Sequence, residues 1–225
     1  MMVEQTGARL TGDARSRSAG SILAAGVLEP LHELNRVWLG LLAAAPRRWG
    51  TISSGARLPD PACTGLAAML VEERAEIARC PFSLFTARFS DGAYWTGVAD
   101  NARAHEHAVS DADAPRDAAL SEFSQIALFF TWHLVRANPS SARIVLGMSD
   151  QTMRAFAGLS LTGLHHMAHY QPTLVCARWP ERTWFWLRLC ASARCTELRD
   201  EVRTLGLQML AAELAAATTP QTTQT

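Results

Sequence analysis

The chain contains no lysine: its 21 basic residues are all arginines, and 21 acidic residues balance them. Zero net charge argues against a protein that binds nucleic acid alone and without sequence preference, because such binding relies on neutralising phosphates. The all-arginine usage is typical of GC-rich coding sequence, an explanation we favour over selection for bidentate anion contacts. No run reaches the roughly 18 to 20 apolar residues of a membrane span, so we expect no membrane segment.

Signatures of catalysis and of cofactor binding are also missing. The sequence has no glycine-rich phosphate loop, no G-x-S-x-G motif and no paired carboxylate pattern. Its five cysteines include no C-x-x-C pair, and most lie in apolar contexts, which favours reduced, partly buried thiols over a zinc site or a nucleophile. The arginine-containing N-terminal stretch lacks the long apolar region of a secretory signal. We therefore expect a cytoplasmic, non-enzymatic protein without a cofactor.

The sequence contains a match between two of its own segments. Residues 58–95 align without a gap on residues 148–185, at a constant spacing of 90. A match at fixed spacing indicates that one supersecondary unit is used twice. Identical residues fall at Asp60/Asp150, Ala67/Ala157, Ala78/Ala168, Leu84/Leu174, Ala87/Ala177 and Arg88/Arg178.

The apolar periodicity of each copy predicts the same series of elements. In residues 27–45 and 118–137, apolar residues recur at spacings of three and four residues, which indicates two long helices. Pro46 ends the first of these helices and Asn138-Pro139 ends the second. Each is followed by two short helices, an extended connector and a further helix. The predicted fold is mostly α: two tandem helical repeats with short extended connectors, packed as one pseudo-symmetric body. The predicted segments are a disordered tail (1–24), first repeat (25–99), linker (100–117), second repeat with a C-terminal helix (118–217) and disordered tail (218–225).

Three histidines on one predicted helix form the densest cluster of possible ligands. His165 and His169 are four residues apart and share a helix face, as in helical zinc sites. The glutamate of the H-E-x-x-H motif is missing, because position 166 is histidine. Solvated or hydrogen-bonded histidines are therefore favoured over a metal site, and His165 and His169 remain weak metal candidates.

Aromatic residues at helical spacing are more often core or interface than base-stacking groups. On this basis Trp132, Trp184 and Trp186 are candidate interface residues.

Arg88 and Arg178 fall on matching positions after the two connectors. We expect each arginine to bind a carboxylate from the following turn, Asp91 or Glu181, and prefer this structural role to ligand binding.

The second copy also carries a recognisable pattern. A long helix is followed by a leucine-glycine step, a short helix, a leucine with Ser-Leu, a further short helix and the run Leu-Val-Cys-x-Arg-aromatic. The residues that carry it are Leu146, Gly147, Leu159, Leu161, Leu164, Ala168, Leu174, Val175, Cys176, Arg178 and Trp179. Over residues 118–190 the chain resembles the bacterial flagellar transcriptional regulator FlhD. The first copy shares the resemblance through the internal match.

The resemblance implies an all-α regulator that dimerises and acts with a second subunit, FlhC, which supplies a zinc site. FlhD is a single copy of about half this length, so a chain with two copies is hypothesised to be a covalent pseudo-dimer. In such a regulator, Arg154, Arg178 and Arg182 are the first candidates for DNA phosphate contacts, and binding of DNA is expected through the complex. Association of the whole chain into a homodimer stays open.

Two alternatives remain beside the regulator. The first is a helical adaptor or assembly protein, in motility or secretion, that does not bind nucleic acid. The second is an enzyme or metal protein built on His165 and His169.

Overall fold

The computed structural model describes residues 25–44, 58–104 and 117–218, and these fold mainly into α-helices. The predicted mostly α fold is confirmed. Each extended connector contributes one short strand. In chain order the elements are α1 (Ala25–Ala44), α2 (Asp60–Ala68), α3 (Val71–Ala78), β1 (Phe85–Thr86), α4 (Gly92–Ala104), α5 (Ala118–Ala137), α6 (Pro139–Leu146), α7 (Asp150–Ala157), α8 (Leu161–Tyr170), β2 (Cys176–Ala177), α9 (Thr183–Ala191) and α10 (Thr196–Thr218).

Local capping explains where several helices begin. The Asp117 side chain accepts a hydrogen bond from the Leu120 N–H, and α5 starts at the next residue, as predicted. Ser149 and Ser160 cap α7 and α8 in the same way, each accepting a bond from the backbone N–H three residues on. Side-chain acceptors at these positions satisfy N–H groups that have no partner inside the helix.

Helix α6 was not predicted. Asn138-Pro139 does end α5, but Asn138 Oδ1 also accepts a bond from the Ser141 N–H at 3.0 Å. Pro139 then occupies the first turn of α6, where its missing N–H costs nothing. Gly147 ends α6 with φ of 64°, a conformation that glycine adopts without strain.

Five described elements of the first half (α1, α2, α3, β1 and α4) have counterparts of the same type in the same order in the second half (α5, α7, α8, β2 and α9), whereas α6 and α10 have no described counterpart. Helices α1 and α5 both have 20 residues and start 93 residues apart. Helices α2 and α7, and likewise α3 and α8, start 90 residues apart. After that point the spacing becomes 91, both for the strands and for helices α4 and α9.

The one-residue change corrects the predicted pairing of Arg88 with Arg178. Positive φ values occur at Arg88 (53°) and at Trp179 (49°), which are 91 residues apart. Trp179 therefore occupies the backbone position of Arg88, and Arg178 occupies that of Ala87. The additional residue lies between α8 and β2, where the second half forms the short 3₁₀ turn Pro172–Leu174.

The halves share one hydrophobic core. Strand β1 pairs antiparallel with β2, with Phe85 opposite Ala177 and Thr86 opposite Cys176. Helix α4 packs against α7 of the other half, and α9 packs against α2. Helices α1 and α5 also contact each other, and the rings of Trp38 and Phe123 stack there with centroids 5.1 Å apart.

The structure revises two predicted boundaries. Helix α4 continues to Ala104, so residues 100–104 of the predicted linker are helical. Helix α10 ends at Thr218, the first residue of the predicted C-terminal tail. Residues 1–24, 45–57, 105–116 and 219–225 lie outside the described residues, and so does Pro46, the predicted end of the first helix. Among those described, no helix has both the length and the apolar character needed to cross a membrane.

Helix α10 packs closely against the core at Gly206. A Cβ atom at Gly206 would overlap the ring of Phe82, which is fully buried and cannot move into solvent. We expect Gly206→Ala to lower the free energy of unfolding by about 1 to 3 kcal/mol, because overpacking outweighs the helix propensity of alanine. Urea denaturation measures the change. The control is Gly97→Ala in α4, where nothing beyond the neighbouring residues and the local helix backbone lies within 4 Å of the added carbon. Equal stabilisation of both variants would contradict this packing.

Candidate interaction and binding surfaces

Arg178 is buried, contrary to its predicted role as a phosphate contact. Only 2% of its side chain is exposed. Its guanidinium group donates to Ser83 Oγ at 2.9 Å and to the Leu146 carbonyl, and lies 3.4 Å from Glu213 Oε2. The Trp179 indole donates to the other Glu213 oxygen at 2.6 Å. Arg178 thus connects β2, α6 and α10, and it is not accessible to DNA.

The carboxylate partner predicted for Arg178 is also wrong. Glu181 lies 3.8 Å from Arg182, while Arg178 pairs with Glu213 of α10. Burial lowers the pKa of Arg178, and the charge of Glu213 opposes that shift. The other predicted pair is observed, with Arg88 Nη1 at 3.9 Å from Asp91 Oδ2.

The two other arginines predicted to contact phosphate are exposed, but on different helices. Arg154 lies on α7, where its Nε donates to the Asp150 carbonyl. Arg182 immediately precedes α9, and 58% of its side chain is exposed. Both are accessible to an anionic partner.

The three predicted interface tryptophans have different environments. Trp186 is fully buried, and its indole donates to the carbonyls of Arg178 and Trp179, so it is a core residue. Trp132 is half-buried beneath Arg136, and its indole donates to the Leu159 carbonyl. Trp184 is 43% exposed, and Leu187, one turn further along α9, is 40% exposed. Of the three, only Trp184 offers a large apolar surface to a partner.

The histidine rings on α8 lie close to each other, but too few possible ligands meet there to hold a metal ion. The rings of His165 and His169 stack with centroids 6.3 Å apart, as expected for residues four apart on α8. Within the described ranges, no group of three or more His, Cys, Asp or Glu residues could hold a metal ion.

The cysteines are free thiols, three of them buried and two partly exposed. Burial raises the pKa of Cys80 and of Cys176 to about 12, and that of Cys190 to about 11. These three thiols are therefore protonated near neutral pH and unsuited to nucleophilic attack.

One charged cleft was not predicted as a site. His32 and Arg36 of α1 line an open cleft together with Arg79, which follows α3, and with Glu29 and Glu33. Burial lowers the pKa of His32, and the charges of Arg203 on α10 and of Arg79 lower it further. Its residues come from α1 and from the end of α3, which are distant in sequence, so no local motif could reveal it.

Comparison with known proteins identifies no relative, since neither a family model, nor a curated protein, nor a solved structure matches the chain.

Proposed function

We propose that the protein is a non-enzymatic, FlhD-like transcriptional regulator in which two FlhD-like units are joined in one chain. The units pair with each other as FlhD pairs between chains. The protein acts through protein partners, with an FlhC-like subunit expected, and contacts DNA within that complex.

The register of the two strands carries this proposal. A shift of 91 residues places Phe85 on Cys176 and Thr86 on Ala177. It therefore converts the observed pair Phe85–Ala177 into Cys176–Thr86, which is the other observed pair. An exchange of this kind is what a two-fold axis between equivalent units produces, as in an isologous dimer interface.

Helix packing and backbone conformation support the same arrangement. The same two-fold operation replaces α4 by α9 and α7 by α2. It therefore turns the contact of α4 with α7 into the contact of α9 with α2, which is also observed. The Trp95 indole donates to the carbonyls of Ala87 and Arg88, as that of Trp186 does to Arg178 and Trp179. These indoles bind equivalent left-handed turns, and the buried tryptophans occupy equivalent positions.

Protein partners are favoured by the exposed face of α9. Trp184 and Leu187 lie one turn apart and are both about two-fifths exposed. Exposed tryptophans are frequent energetic centres of protein interfaces.

The adaptor alternative is favoured by the arginine pairing. Exposed arginines largely face acidic residues, and Arg178 is buried. The pairs include Arg36–Glu33, Arg143–Asp150, Arg188–Glu201, Arg194–Glu73 and Arg203–Asp200. A helical adaptor for a motility or secretion assembly would need no basic surface.

Affinity capture from the native host, with mass spectrometry of the bound proteins, distinguishes the two. Recovery of an FlhC-like subunit or RNA polymerase supports the regulator. Recovery of secretion or flagellar assembly components without transcription proteins would contradict it and support the adaptor.

A matched pair of variants tests the α9 surface in the same capture. Trp184→Ala is expected to reduce partner recovery at least about tenfold, as for an interface hot spot. Ile144→Ala removes an apolar side chain of similar exposure from α6 and should leave recovery unchanged. Equal recovery with both variants would show that the partner does not bind at Trp184.

A further inference from the structure

Helix α10 covers a continuous track on the rest of the molecule. At its start, Arg199 pairs with Glu76 of α3. In its middle, α10 packs on the ring of Phe82, which is fully buried. Near its end, Glu213 accepts a hydrogen bond from the indole of Trp179 at 2.6 Å. The track therefore runs from α3 of the first half, across Phe82, to the turn after β2 in the second half.

The two-fold operation proposed above carries this track onto a second surface. With spacings of 90 at α3 and α8 and of 91 at the strands, the positions that correspond to the three covered residues are His166, Thr173 and Arg88, in that order. Thr173 is exposed, and Arg88 is 44% exposed, whereas its counterpart Trp179 is 6% exposed beneath α10. Because α10 has no described counterpart, this surface is open in the described part of the chain.

The side chains of this second surface contact one another. The guanidinium carbon of Arg88 lies 4.7 Å from the centroid of the Tyr94 ring. The Tyr94 hydroxyl donates to Gln171 Oε1 at 3.5 Å. Beside Gln171, the ring of Tyr170 lies 5.3 Å from that of His166. We call these five residues the second seat; it extends from α8 of the second half to α4 of the first.

The charge of the second seat differs from that of the surface beneath α10. Glu76 of α3 pairs with Arg199 of α10, whereas the corresponding residue of α8 is His166. At the other end, Arg88 faces Asp91 across 3.9 Å, an exposed pair whose members are held weakly. Helix α10 of a second copy would lose the acidic partner of Arg199 on this surface. A helix that carries carboxylates at both ends fits the second seat better.

The residue types of the second seat suit a protein partner. Tyrosine and arginine are enriched in protein interfaces and among their energetic centres. Tyr170 is 41% exposed and Arg88 is 44% exposed. A helix that lies here as α10 lies on the opposite side would cover both side chains.

We propose that the second seat binds an acidic α-helix of a protein partner, in the place that α10 occupies on the opposite side. Carboxylates of that helix pair with Arg88 at one end and with His166 at the other, and Tyr170 packs against its apolar face. The inference rests on the proposed function for the protein partner and for the two-fold pairing of the halves. A regulator and an adaptor would use the surface in the same way.

Fluorescence anisotropy of a labelled peptide, measured with the full chain, tests the proposal. The probe is an acidic peptide, which has the sequence of residues 196–215 with Arg199→Glu. Its glutamate at that position lies opposite His166, and Glu213 lies opposite Arg88, when the peptide binds as α10 does. The control peptide keeps the native sequence. The chain should bind the acidic peptide at least about tenfold more tightly, and salt should weaken the binding.

Matched variants of the full chain locate the bound peptide. Arg88→Gln and Tyr170→Ala should each weaken binding of the acidic peptide by about tenfold. Arg36→Gln is the control, because Arg36 is 46% exposed and, like Arg88, pairs with a carboxylate three residues away. It lies on α1 and should leave the affinity unchanged. Circular dichroism of each variant shows that the helices are retained.

The outcomes separate the second seat from the proposed function. A preference for the acidic peptide that Arg88→Gln and Tyr170→Ala both reduce supports the second seat. Equal affinity for the two peptides, no binding at about 1 mM, or wild-type affinity in both variants overturns it.

Affinity capture with Arg88→Gln tests the natural partner at the same surface. Recovery of a transcription or assembly partner at wild-type levels would show that the partner binds elsewhere, which overturns the second seat and leaves the proposed function standing. Peptide binding at the second seat without any captured partner would support the surface and count against the proposed function.

Discussion

Replacing Arg178 with methionine is expected to lower the free energy of unfolding by about 3 to 5 kcal/mol. The substitution keeps an unbranched stem but leaves Ser83, the Leu146 carbonyl and Glu213 without their shared donor. Removing one member of a buried ion pair is costly because the other charge loses its compensation. Glu213 is 29% exposed and keeps some access to water, so we expect the lower end of this range.

Chemical denaturation of three matched variants measures the effect. Arg154→Met removes an exposed arginine from α7 and should change stability by less than about 0.5 kcal/mol. The double variant Arg178→Met/Glu213→Gln should recover part of the loss, because no carboxylate remains unpaired. Wild-type stability of Arg178→Met, combined with weakened DNA binding, would instead place this arginine on a surface.

The second large effect is expected at the two buried tryptophans. Trp95→Ala and Trp186→Ala should each cost about 3 to 5 kcal/mol, because both side chains are fully buried. The phenylalanine variants keep most of the apolar volume but leave two carbonyls without the indole donor. Each should cost about 1 to 3 kcal/mol.

Comparing the stability losses at Trp95 and Trp186 tests whether the two turns are equivalent. If Trp95 and Trp186 hold equivalent turns, their phenylalanine variants should lose similar stability, measured by the same denaturation experiment. Phe129→Leu on α5 serves as a control for a partly buried aromatic residue. Tolerance of phenylalanine at one position and a large loss at the other would show that the two turns are not equivalent in energy.

Helix positions could be predicted where the signal is local. The bounds of α5 follow from its apolar period, from the acceptor at Asp117 and from Asn138-Pro139. Helix α6 was missed because the same Asn138-Pro139 pair both ends one helix and begins the next. The change of spacing from 90 to 91 was missed because an alignment without gaps cannot represent one additional residue.

The candidate sites were harder to predict because their partners are far apart in the chain. Arginine is seldom fully buried, and the carboxylate that compensates Arg178 lies 35 positions later, on α10. His32 and Arg79 line the same cleft only because α1 and α3 pack together. Spacing within one helix correctly indicated that His165 and His169 are neighbours, because that relation depends on the helix alone.

Cutting the chain between its halves tests most directly whether they form one pseudo-symmetric pair. A specific protease site is inserted after Ala108, and the purified protein is cleaved and analysed by size-exclusion chromatography with light scattering. Because β1 pairs with β2, and α4 and α9 each pack on the opposite half, the fragments should remain a one-to-one complex and unfold in a single transition. Separation into two fragments that each keep their helical circular dichroism would contradict the paired arrangement and the FlhD-like pseudo-dimer proposed from it.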